Sequence, residues 1–420
     1  MRILLAANAS YVPPRGGATR SNLRWLEGLA ARGHVCRAVT AALAREVAQG
    51  QIRDEGMEAE WARSAEGAGV ERFERHGVAV YAAGERSRLV PLLRQQMGEL
   101  EPDWVLISSE DLGHTLLREA ARVVPERIVY LAHTPQFFPF GPASWNPDAG
   151  ATEMVRRAAA VVAICRHAAA YVAEHAGRAV QVIHPPIYGA GPFPNLAAFD
   201  RGLVAMVNPC AVKGISIFLA LADRFPGTDF GALPGWGTSA ADLAQMRLRP
   251  NVTLLPNYGN IEDFLRRTRI LLMPSLWHEG FGLSVMEAML RGIPAITSDS
   301  GGLVEAKLGT GSVIAVPGIE RFEAVFDEHG MPRPVLPAID IEPWAAALER
   351  LLTDRREYER ESEMSRAAAL RFVADIREER MEEFLLSLRA GEARPTLPPR
   401  AETLSPERRG LLLRRLRERN

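Results

Sequence analysis

Two carboxylates in a glycine-bearing loop and the helix after it are the clearest candidates for chemistry in this chain. Glu279 follows the apolar run Ile270–Met273, and Glu287 lies eight residues later in a segment with helical spacing. Loop glycines let the backbone approach a ligand closely, and the first turn of a helix offers unpaired N–H groups to a phosphate. Carboxylates accept hydrogen bonds strongly from sugar hydroxyls. The pattern suits a diphosphate between two hydroxylated groups. The alternative is that Glu279 only caps the helix and that Glu287 is a solvated side chain.

Lysine is scarce in this sequence, which makes its positions informative. Of 50 basic residues, only Lys213 and Lys307 are lysines. A compact ammonium suits the phosphate oxygens of a leaving group, which makes lysine a residue to examine near a diphosphate. For Lys307, chance survival in an arginine-rich chain is an equal alternative.

Short apolar runs with β-forming residues recur along the chain and predict strands. Before the Pro/Gly-rich stretch His184–Asn195 they are Arg2–Ala7, Val35–Ala41, Gly77–Gly84, Trp104–Ser108, Ile128–His133, Val161–Cys165 and Val180–Ile183. After it they are Leu203–Val207, Asp229–Leu233, Val252–Leu255, Ile270–Met273, Ala295–Ser298 and Val313–Val316. Helical spacing lies between most of them, as in Ser21–Arg32 and Leu89–Leu100. This alternation predicts two α/β halves with parallel sheets, and a ligand site in the cleft between them.

Composition and charge exclude several classes of protein. The chain has 420 residues, of which 47% are hydrophobic and 24% charged, as in soluble globular proteins of two or three domains. A net charge of −1 gives no reason to expect a nucleic-acid partner. The longest apolar run, Ala158–Cys165, is too short to span a membrane, and the start of the chain does not resemble a signal peptide. Three scattered cysteines indicate neither disulfides nor a zinc site, so we expect a soluble, cytoplasmic protein.

The chain is predicted to divide into three parts. Residues 1–190 form an N-terminal acceptor domain, and residues 191–390 form a nucleotide-sugar domain that ends in the helical stretch Pro343–Leu388. Residues 391–420 contain a proline-bearing linker and a short basic helix. The ligands named for the two domains follow from a family resemblance.

That resemblance is to the retaining glycosyltransferases of family 4. The family segment reads as a serine, then E-G-F-G-L, E-A-M and G-x-P, which matches Ser275, Glu279–Leu283, Glu287–Met289 and Gly292–Pro294. The likeness runs from about residue 1 to residue 388. It implies the α/β GT-B fold, with two Rossmann-like domains facing a central cleft and C-terminal helices that return to the first domain. It also implies transfer of a sugar from a UDP- or GDP-linked donor to an acceptor hydroxyl with retention of configuration.

The resemblance assigns roles to individual residues. Glu279 contacts the donor sugar, Glu287 contacts the ribose, and the backbone of Gly280, Phe281, Gly282 and Leu283 lies along the diphosphate. Other matched positions bind the same substrate: Gly16 and Gly17 at the diphosphate and sugar, His133 at the transferred sugar, Lys213 on the leaving diphosphate, Gly235 in a glycine loop and Tyr258 at the nucleobase. For His133, a satisfied histidine at the edge of the cleft is the alternative.

The chain departs from the family at one phosphate-binding position. An arginine usually lies about five residues before the lysine, where this chain has Asn208. Either another arginine supplies the charge, or the leaving group is stabilised less. No Asp-x-Asp motif lies where a metal would be held, so we expect no metal and no cofactor. The resemblance favours same-face attack, in which the leaving phosphate accepts the acceptor's proton.

The acceptor is expected on the first half of the chain. Glu110 and Asp111 follow the run Trp104–Ser108 and are candidates for its pocket, with helix capping as an equal alternative. The aromatic residues after His133 either line an apolar acceptor pocket or pack against the domain; they are Phe137, Phe138, Phe140 and Trp145.

The basic segment of residues 404–420 carries six arginines and two glutamates. It is similar to a short helix at domain junctions of nonribosomal peptide and polyketide synthases, which would make the acceptor a peptide or polyketide natural product. A solvated basic helix and a membrane-surface helix are the alternatives. The second would suit a lipid or polysaccharide glycosyltransferase. From other classes, a GT-B epimerase, a phosphorylase or a non-catalytic nucleotide-sugar-binding protein stays open.

Overall fold

Two sheets dominate the computed structural model, which describes residues 1–14, 16–42, 69–256, 258, 260–327 and 331–389. The first sheet contains β1 (Arg2–Ala6), β2 (Val35–Ala41), β3 (Val70–Arg75), β4 (Val78–Ala83), β5 (Trp104–Ser108), β6 (Ile128–Ala132), β7 (Ala160–Ala163) and β8 (Gln181–Val182). The second contains β9 (Leu203–Val207), β10 (Phe230–Leu233), β11 (Val252–Leu254), β12 (Thr268–Met273), β13 (Ala295–Ser298) and β14 (Val313–Ile314).

Helices connect these strands and cover both sheets. Within the described ranges they are α1 (Gly17–Ala31), α2 (Leu89–Leu100), α3 (Thr115–Val123), α4 (Ala149–Arg157), α5 (Arg166–Ala176), α6 (Ile215–Arg224), α7 (Ala240–Arg247), α8 (Ile261–Leu265), α9 (Leu283–Leu290), α10 (Leu303–Ala306), α11 (Glu342–Thr353), α12 (Arg355–Ala374) and α13 (Arg380–Arg389).

The first sheet is parallel except at one edge. Its strand order is β3-β4-β2-β1-β5-β6-β7-β8, and only β3 pairs antiparallel to its neighbour. Every residue of the central strands β5 and β6 is buried, because helices cover both faces. The predicted parallel sheet is confirmed.

The second sheet is parallel throughout, in the order β11-β10-β9-β12-β13-β14. Strands β9 and β12 are neighbours at its centre. The loops after these two strands carry Lys213 and Glu279, and the carboxyl ends of parallel strands share one edge of the sheet. The topology alone therefore places the two side chains close together.

The C-terminal helices connect the two halves of the molecule. Helix α11 packs Trp344, Leu348 and Leu351 into the core of the second half. Helix α13 lies against α1 of the first half, where Glu382 Oε1 is 2.7 Å from His34 Nε2. The predicted helical stretch is thus three helices, and the last one returns to the first half as the GT-B arrangement requires.

Two elements were absent from the sequence-based prediction. Strand β3 is rich in charged residues and buries only Phe73, so it has no apolar run. A hairpin of β15 (Phe322–Phe326) and β16 (Pro332–Pro334) is mostly exposed and escapes detection for the same reason.

The predicted linker and basic segment, residues 391–420, lie outside the described residues. Within the described part of the chain, no helix has the length and apolarity that crossing a membrane requires.

Lys307 is a buried structural residue. Its side chain is fully buried, and Nζ donates to the Ala295 carbonyl at 2.5 Å and lies 3.5 Å from Glu361 Oε1 on α12. Burial lowers the pKa of Lys307 and raises the pKa of Glu361, while each charge opposes the other's shift. The pair ties the long helix α12 to the second sheet.

Replacing Lys307 by methionine should lower the free energy of unfolding by about 3–5 kcal/mol, because Glu361 is then buried without its cation. The double variant Lys307→Met/Glu361→Leu removes both charges and should recover most of that loss. Urea unfolding of the three proteins checks this. A double variant less stable than Lys307→Met would contradict it.

Candidate active site

The cleft is formed where glycine loops from the two halves meet. Gly16 adopts φ +91° just before α1, and a Cβ on Gly17 would lie 2.9 Å from Leu283 Cδ1. Leu283 is the first residue of α9, whose N-terminal N–H groups face this contact region. The predicted glycine loop of the first half therefore lies against the predicted diphosphate loop of the second.

Glu279 is held by three donors at one oxygen. Its carboxylate is 6% exposed, and Oε1 accepts from Lys213 Nζ at 2.5 Å and from Trp277 Nε1 at 3.0 Å. Ser275 Oγ donates to the same oxygen. Burial of a carboxylate requires such partners, and they fix its orientation at the loop. The structure thus brings Glu279 and Lys213 into one cluster.

Lys213 lies beside two adjacent indole rings, whose centroids are 5.7 Å apart. Its Nζ is 4.7 Å from the Trp277 ring centroid and 6.0 Å from that of Trp236. The next residue, Gly214, has φ +79°, and a Cβ there would lie 2.0 Å from the Pro274 carbonyl oxygen. Only glycine permits this approach, which presses the loop after β9 against the loop after β12. The cation is therefore fixed at the carboxylate by both backbone and ring contacts.

The position that lacks the family arginine has a structural role. Asn208 adopts φ +53°, and its Oδ1 accepts from the Gly237 N–H at 2.9 Å. Gly235 packs so closely that a Cβ would lie 2.7 Å from Asn208 Oδ1. Asn208 thus braces the loop Gly235–Gly237, which carries Trp236 to Lys213, and it brings no positive charge.

His133 directly follows β6 at the cleft. One of its ring nitrogens is hydrogen-bonded, and the other has no hydrogen-bond partner. Its Nε2 donates to Asn22 Oδ1 at 2.9 Å, while Nδ1 is buried without a protein partner. Burial lowers the pKa of His133 to about 3, so the ring is neutral at physiological pH. A Cβ on Gly280 would lie 3.2 Å from the His133 carbonyl, which places the histidine beside the diphosphate loop. The open Nδ1 is an acceptor for a hydroxyl.

Glu287 is paired across the cleft. It is 4% exposed, and its Oε1 accepts from Arg20 Nη2 on α1 at 2.8 Å. The carboxylate raises the pKa of Arg20. The solvated alternative for Glu287 is therefore wrong. Tyr258 forms no hydrogen bond with Arg20 or Glu287. Its hydroxyl accepts a hydrogen bond from Arg267 Nη1 at 2.9 Å.

Of the two candidate acceptor carboxylates, the structure separates Asp111 from Glu110. Asp111 accepts from the Leu116 N–H at 2.9 Å and from Thr115 Oγ1 at 3.1 Å, so it caps α3 as the alternative stated. Glu110 makes no such contact. Burial raises the pKa of its carboxyl to about 7, against the opposing charge of Lys213. Glu110 is therefore near enough to Lys213 for the two charges to interact.

The aromatic residues after His133 divide into two groups. Phe138 and Phe140 are buried in the core of the first half. Trp145 reaches across the cleft, with its ring centroid 5.7 Å from that of Trp277, and Phe137 packs against Trp145 in a tilted arrangement with the centroids 5.5 Å apart. The alternative that these aromatic residues pack against the domain therefore holds for Phe138 and Phe140. Trp145 instead joins Trp277 and Trp236 beside Lys213.

A second space lies on the other side of the Glu279 loop. This cavity of about 740 Å³ opens between the halves and is bordered by Trp277 and His278. A hydrogen-bonded imidazole pair, His167 Nε2 and His278 Nδ1 at 3.1 Å, joins the halves there. Ser144 and Glu320 add polar groups to its wall. The cavity is large enough for a small-molecule ligand.

Cys165 couples the first half directly to the diphosphate loop. Its Sγ donates to the Gly280 carbonyl at 2.7 Å and accepts from the Ala168 N–H. Gly280 leaves no room for a side chain, since a Cβ would lie 3.0 Å from Ile164 Cδ1. The thiol therefore helps to set how the loop presents its N–H groups.

Sequence reasoning missed several residues that complete the site. They are Arg20, Asn22, Cys165 and Trp277. The first two lie on α1 close after the glycine pair, a signal that could have marked a polar face of that helix. No sequence signal pairs Cys165 with Gly280, because that contact arises only when the halves meet.

Across the described ranges, no group of three or more His, Cys, Asp or Glu side chains is arranged to hold a metal ion. Metal independence stays a prediction.

Two family models match the chain. One described as Glycosyltransferase Family 4 matches residues 15–188, and one described as Glycosyl transferases group 1 matches residues 240–329. The first match falls on the first sheet and the second on the second sheet. Each half of the chain thus resembles the corresponding half of a family 4 protein.

Similar proteins support the same grouping. An uncharacterized 42.6 kDa protein of the cps region of Klebsiella pneumoniae is 32% identical over 139 residues, which are 33% of this chain and 35% of that protein. The lipopolysaccharide core biosynthesis mannosyltransferase LpsB of Rhizobium meliloti is 32% identical over 82 residues, which are 19% of this chain and 23% of that protein. The chain therefore matches no more than 35% of the length of either relative.

A solved structure shows the fold. HepE of Anabaena in complex with UDP-glucose has a TM-score of 0.63 and 17% identity, over 92% of this chain and 100% of that one. The likeness covers both sheets and the cleft between them.

Cys165→Ala should weaken binding of a nucleoside diphosphate by roughly three- to tenfold, the net value of one hydrogen bond, because the Gly280 carbonyl loses its donor. Cys165→Ser keeps a donor and serves as the matched control. Titration calorimetry with UDP and GDP checks this. Equal affinities for the alanine and serine variants would show that the contact does not position the loop.

Proposed function

We propose that this glycosyltransferase family 4-like chain with the GT-B fold transfers a sugar from a nucleotide-sugar donor to an acceptor hydroxyl, with retention and without a metal. The observation that carries the proposal is the convergence of Lys213 on Glu279 beside the N-terminus of α9. A buried cation, a carboxylate and helix N–H groups at one place suit a diphosphate attached to a sugar. The complex of HepE with UDP-glucose supports a nucleotide sugar as the ligand.

The donor is placed by groups from both halves. The N–H groups at Gly280–Leu283 receive the diphosphate, Glu279 accepts from the sugar hydroxyls, and Glu287 accepts from the ribose. The neutral His133 accepts from a hydroxyl of the transferred sugar at Nδ1. Each of these groups lies at the contact between the glycine loops, which supports one continuous site.

Lys213 stabilises the leaving group. Breaking the bond between the anomeric carbon and the phosphate oxygen adds negative charge to the diphosphate, and the Lys213 ammonium, which lies 2.5 Å from Glu279 Oε1 in the structure, neutralises that charge. Because binding of the diphosphate competes for this ammonium, Glu279 is released from it to bind the sugar. Ser275 and Trp277 keep the carboxylate in place meanwhile.

Retention is best accounted for by attack from the same face as the departing phosphate. The alternative, a covalent glycosyl-enzyme, needs a carboxylate with a free, nucleophilic oxygen. Oε1 of Glu279 accepts from three donors, and we assign the other oxygen of this carboxylate to the sugar hydroxyls, so we give Glu279 no nucleophilic role. A phosphate oxygen of the leaving group is then the base that takes the acceptor's proton.

The acceptor approaches from the first half, where the charge of Lys213 acts on Glu110. Two acceptor classes follow from different observations. The basic segment 404–420 favours a peptide or polyketide natural product docked to its synthase, and no described residue bears on that prediction. The name of LpsB favours a saccharide or glycolipid acceptor, which also suits the polar cavity beyond the Glu279 loop.

A screen of nucleotide sugars in the presence of a chelator tests the proposal. Wild type should release one nucleoside diphosphate slowly by hydrolysis, and Glu279→Gln should lower that rate on the order of a hundredfold, because the sugar loses a charged contact in the transition state. Glu126→Gln, a change at an exposed carboxylate that precedes β6 and has no ion pair among the described residues, is the control. Formation of an epimerised nucleotide sugar would indicate an epimerase, and formation of a sugar phosphate would indicate a phosphorylase. Binding without turnover would indicate a non-catalytic nucleotide-sugar-binding protein. Each of these outcomes would contradict the proposal.

Donor affinity should fall as the pH rises through about 7. Below that pH Glu110 is protonated and neutral, and above it the carboxylate adds a negative charge near Lys213 that opposes the diphosphate. The expected loss between pH 6 and pH 8 is roughly three- to tenfold at an effective dielectric typical of proteins. Dissociation constants of the intact nucleotide sugar, whose phosphates do not titrate here, measure it. Glu110→Gln should flatten the dependence, and an unchanged slope would exclude Glu110 as its source.

A further inference from the structure

The leaving diphosphate meets less positive charge than its chemistry needs. Lys213 already neutralises Glu279, and the position where the family has its second cation is occupied by Asn208, whose Oδ1 is bound to the Gly237 N–H. A diphosphate that gains charge on bond breaking is stabilised most by fixed cations in a site that excludes water. A further cation must therefore come from elsewhere in the cleft.

Arg20 is placed to supply that charge. It lies three residues after Gly17 on α1, and Glu287 lies four residues after Leu283 on α9. Residues three or four apart share a helix face, so Gly17 against Leu283 and Arg20 against Glu287 form two successive contacts between the same helices. One helical turn, about 5.4 Å, separates the level of Arg20 from the level of the diphosphate loop.

The two partners of this ion pair differ in exposure. The Arg20 side chain is 35% exposed to the cleft, whereas that of Glu287 is 5% exposed. The guanidinium can therefore turn within the cleft while the carboxylate stays in place. Its planar fork matches the oxygens of a phosphate in a bidentate manner, which an ammonium cannot do.

Two other arginines in the described part of the cleft are paired elsewhere. Arg291 is 8% exposed and binds Glu262 and the Glu287 carbonyl. Arg166 pairs with Glu305 beside the separate cavity. Among the described residues of the cleft, Arg20 is the guanidinium that a ribose would displace from its carboxylate.

We propose that Arg20 is the second cation on the donor diphosphate, released from Glu287 when the ribose hydroxyls take that carboxylate. The inference rests on the proposed function and names a residue that replaces the family arginine from the opposite half. In the empty cleft Arg20 neutralises the buried Glu287. In the donor complex it turns one helical turn toward the diphosphate, so that charge from the first half meets a ligand held by the second.

A consequence is that the phosphates, more than the nucleoside, hold the halves together. Lys213 and the α9 N-terminus belong to the second half, and Arg20 belongs to the first. A nucleoside without phosphates competes with Arg20 for Glu287 but forms no new contact with the released guanidinium. A nucleoside diphosphate gains a charge-assisted bond in exchange.

The test compares a diphosphate with its nucleoside on the same variants. UDP with uridine, and GDP with guanosine, are titrated against wild type, Arg20→Gln, Arg20→Lys and Arg24→Ala. The glutamine keeps a hydrogen-bond donor for Glu287, which protects the fold, and Arg24 is an exposed arginine one turn further along α1. Ligand-observed NMR measures the nucleosides and calorimetry the diphosphates, and thermal unfolding checks each variant.

Arg20→Gln should weaken binding of the diphosphate about ten- to hundredfold while leaving the nucleoside unchanged or slightly tighter, as expected for loss of a hydrogen bond to a charged group. Arg20→Lys should lose less, and Arg24→Ala should match wild type. Equal losses for diphosphate and nucleoside would overturn the inference and make Arg20 only a support for Glu287. No diphosphate binding by wild type would instead overturn the proposed function, and the inference with it.

Discussion

The buried pair of Lys213 and Glu279 is the interaction on which the rest of the cleft depends. Two charges removed from water are stable only with close geometry and further hydrogen bonds. Ser275 and Trp277 supply those bonds, and Gly214 lets the loop of β9 approach the Pro274 carbonyl closely enough to form the pair. The order of β9 and β12 at the centre of the second sheet follows the same requirement, since only neighbouring strands deliver both loops to one point.

The two halves meet through groups that a donor would also use. Arg20 contacts Glu287, and Cys165 contacts the Gly280 carbonyl. These are polar contacts of modest net value, and a ligand can exchange them for contacts of its own at small cost. Contacts of this kind join the two halves and can still be exchanged, which suits a site that must exclude water during transfer and then release product.

Much of the fold could be predicted from sequence because its strands are buried on both faces. Runs such as Trp104–Ser108 and Leu203–Val207 are continuous and apolar, and the structure places strands at those residues. Strand β3 was missed because four of its six residues are charged and only Phe73 is buried. The loop carrying Glu279 was predicted from its glycines and its place after a strand. The pairing of Arg20 with Glu287 was not, because periodicity describes one element at a time and this contact joins two elements 267 residues apart.

The surroundings of the two lysines help to explain why this arginine-rich chain has lysine at these positions. Lys213 Nζ lies beside the adjacent rings of Trp277 and Trp236, and Lys307 is fully buried where a Cβ on Gly311 would lie 2.6 Å from its Nζ. A guanidinium is wider than an ammonium and carries five N–H donors that would each need a partner in such a space. Arginine is instead found at the open edge of the cleft, where Arg20 has room to turn. Arginine is also buried in this chain, at Arg127 and Arg291, so enclosure alone does not explain the two lysines; they stand where a compact ammonium fits, one in the core and one beside Glu279.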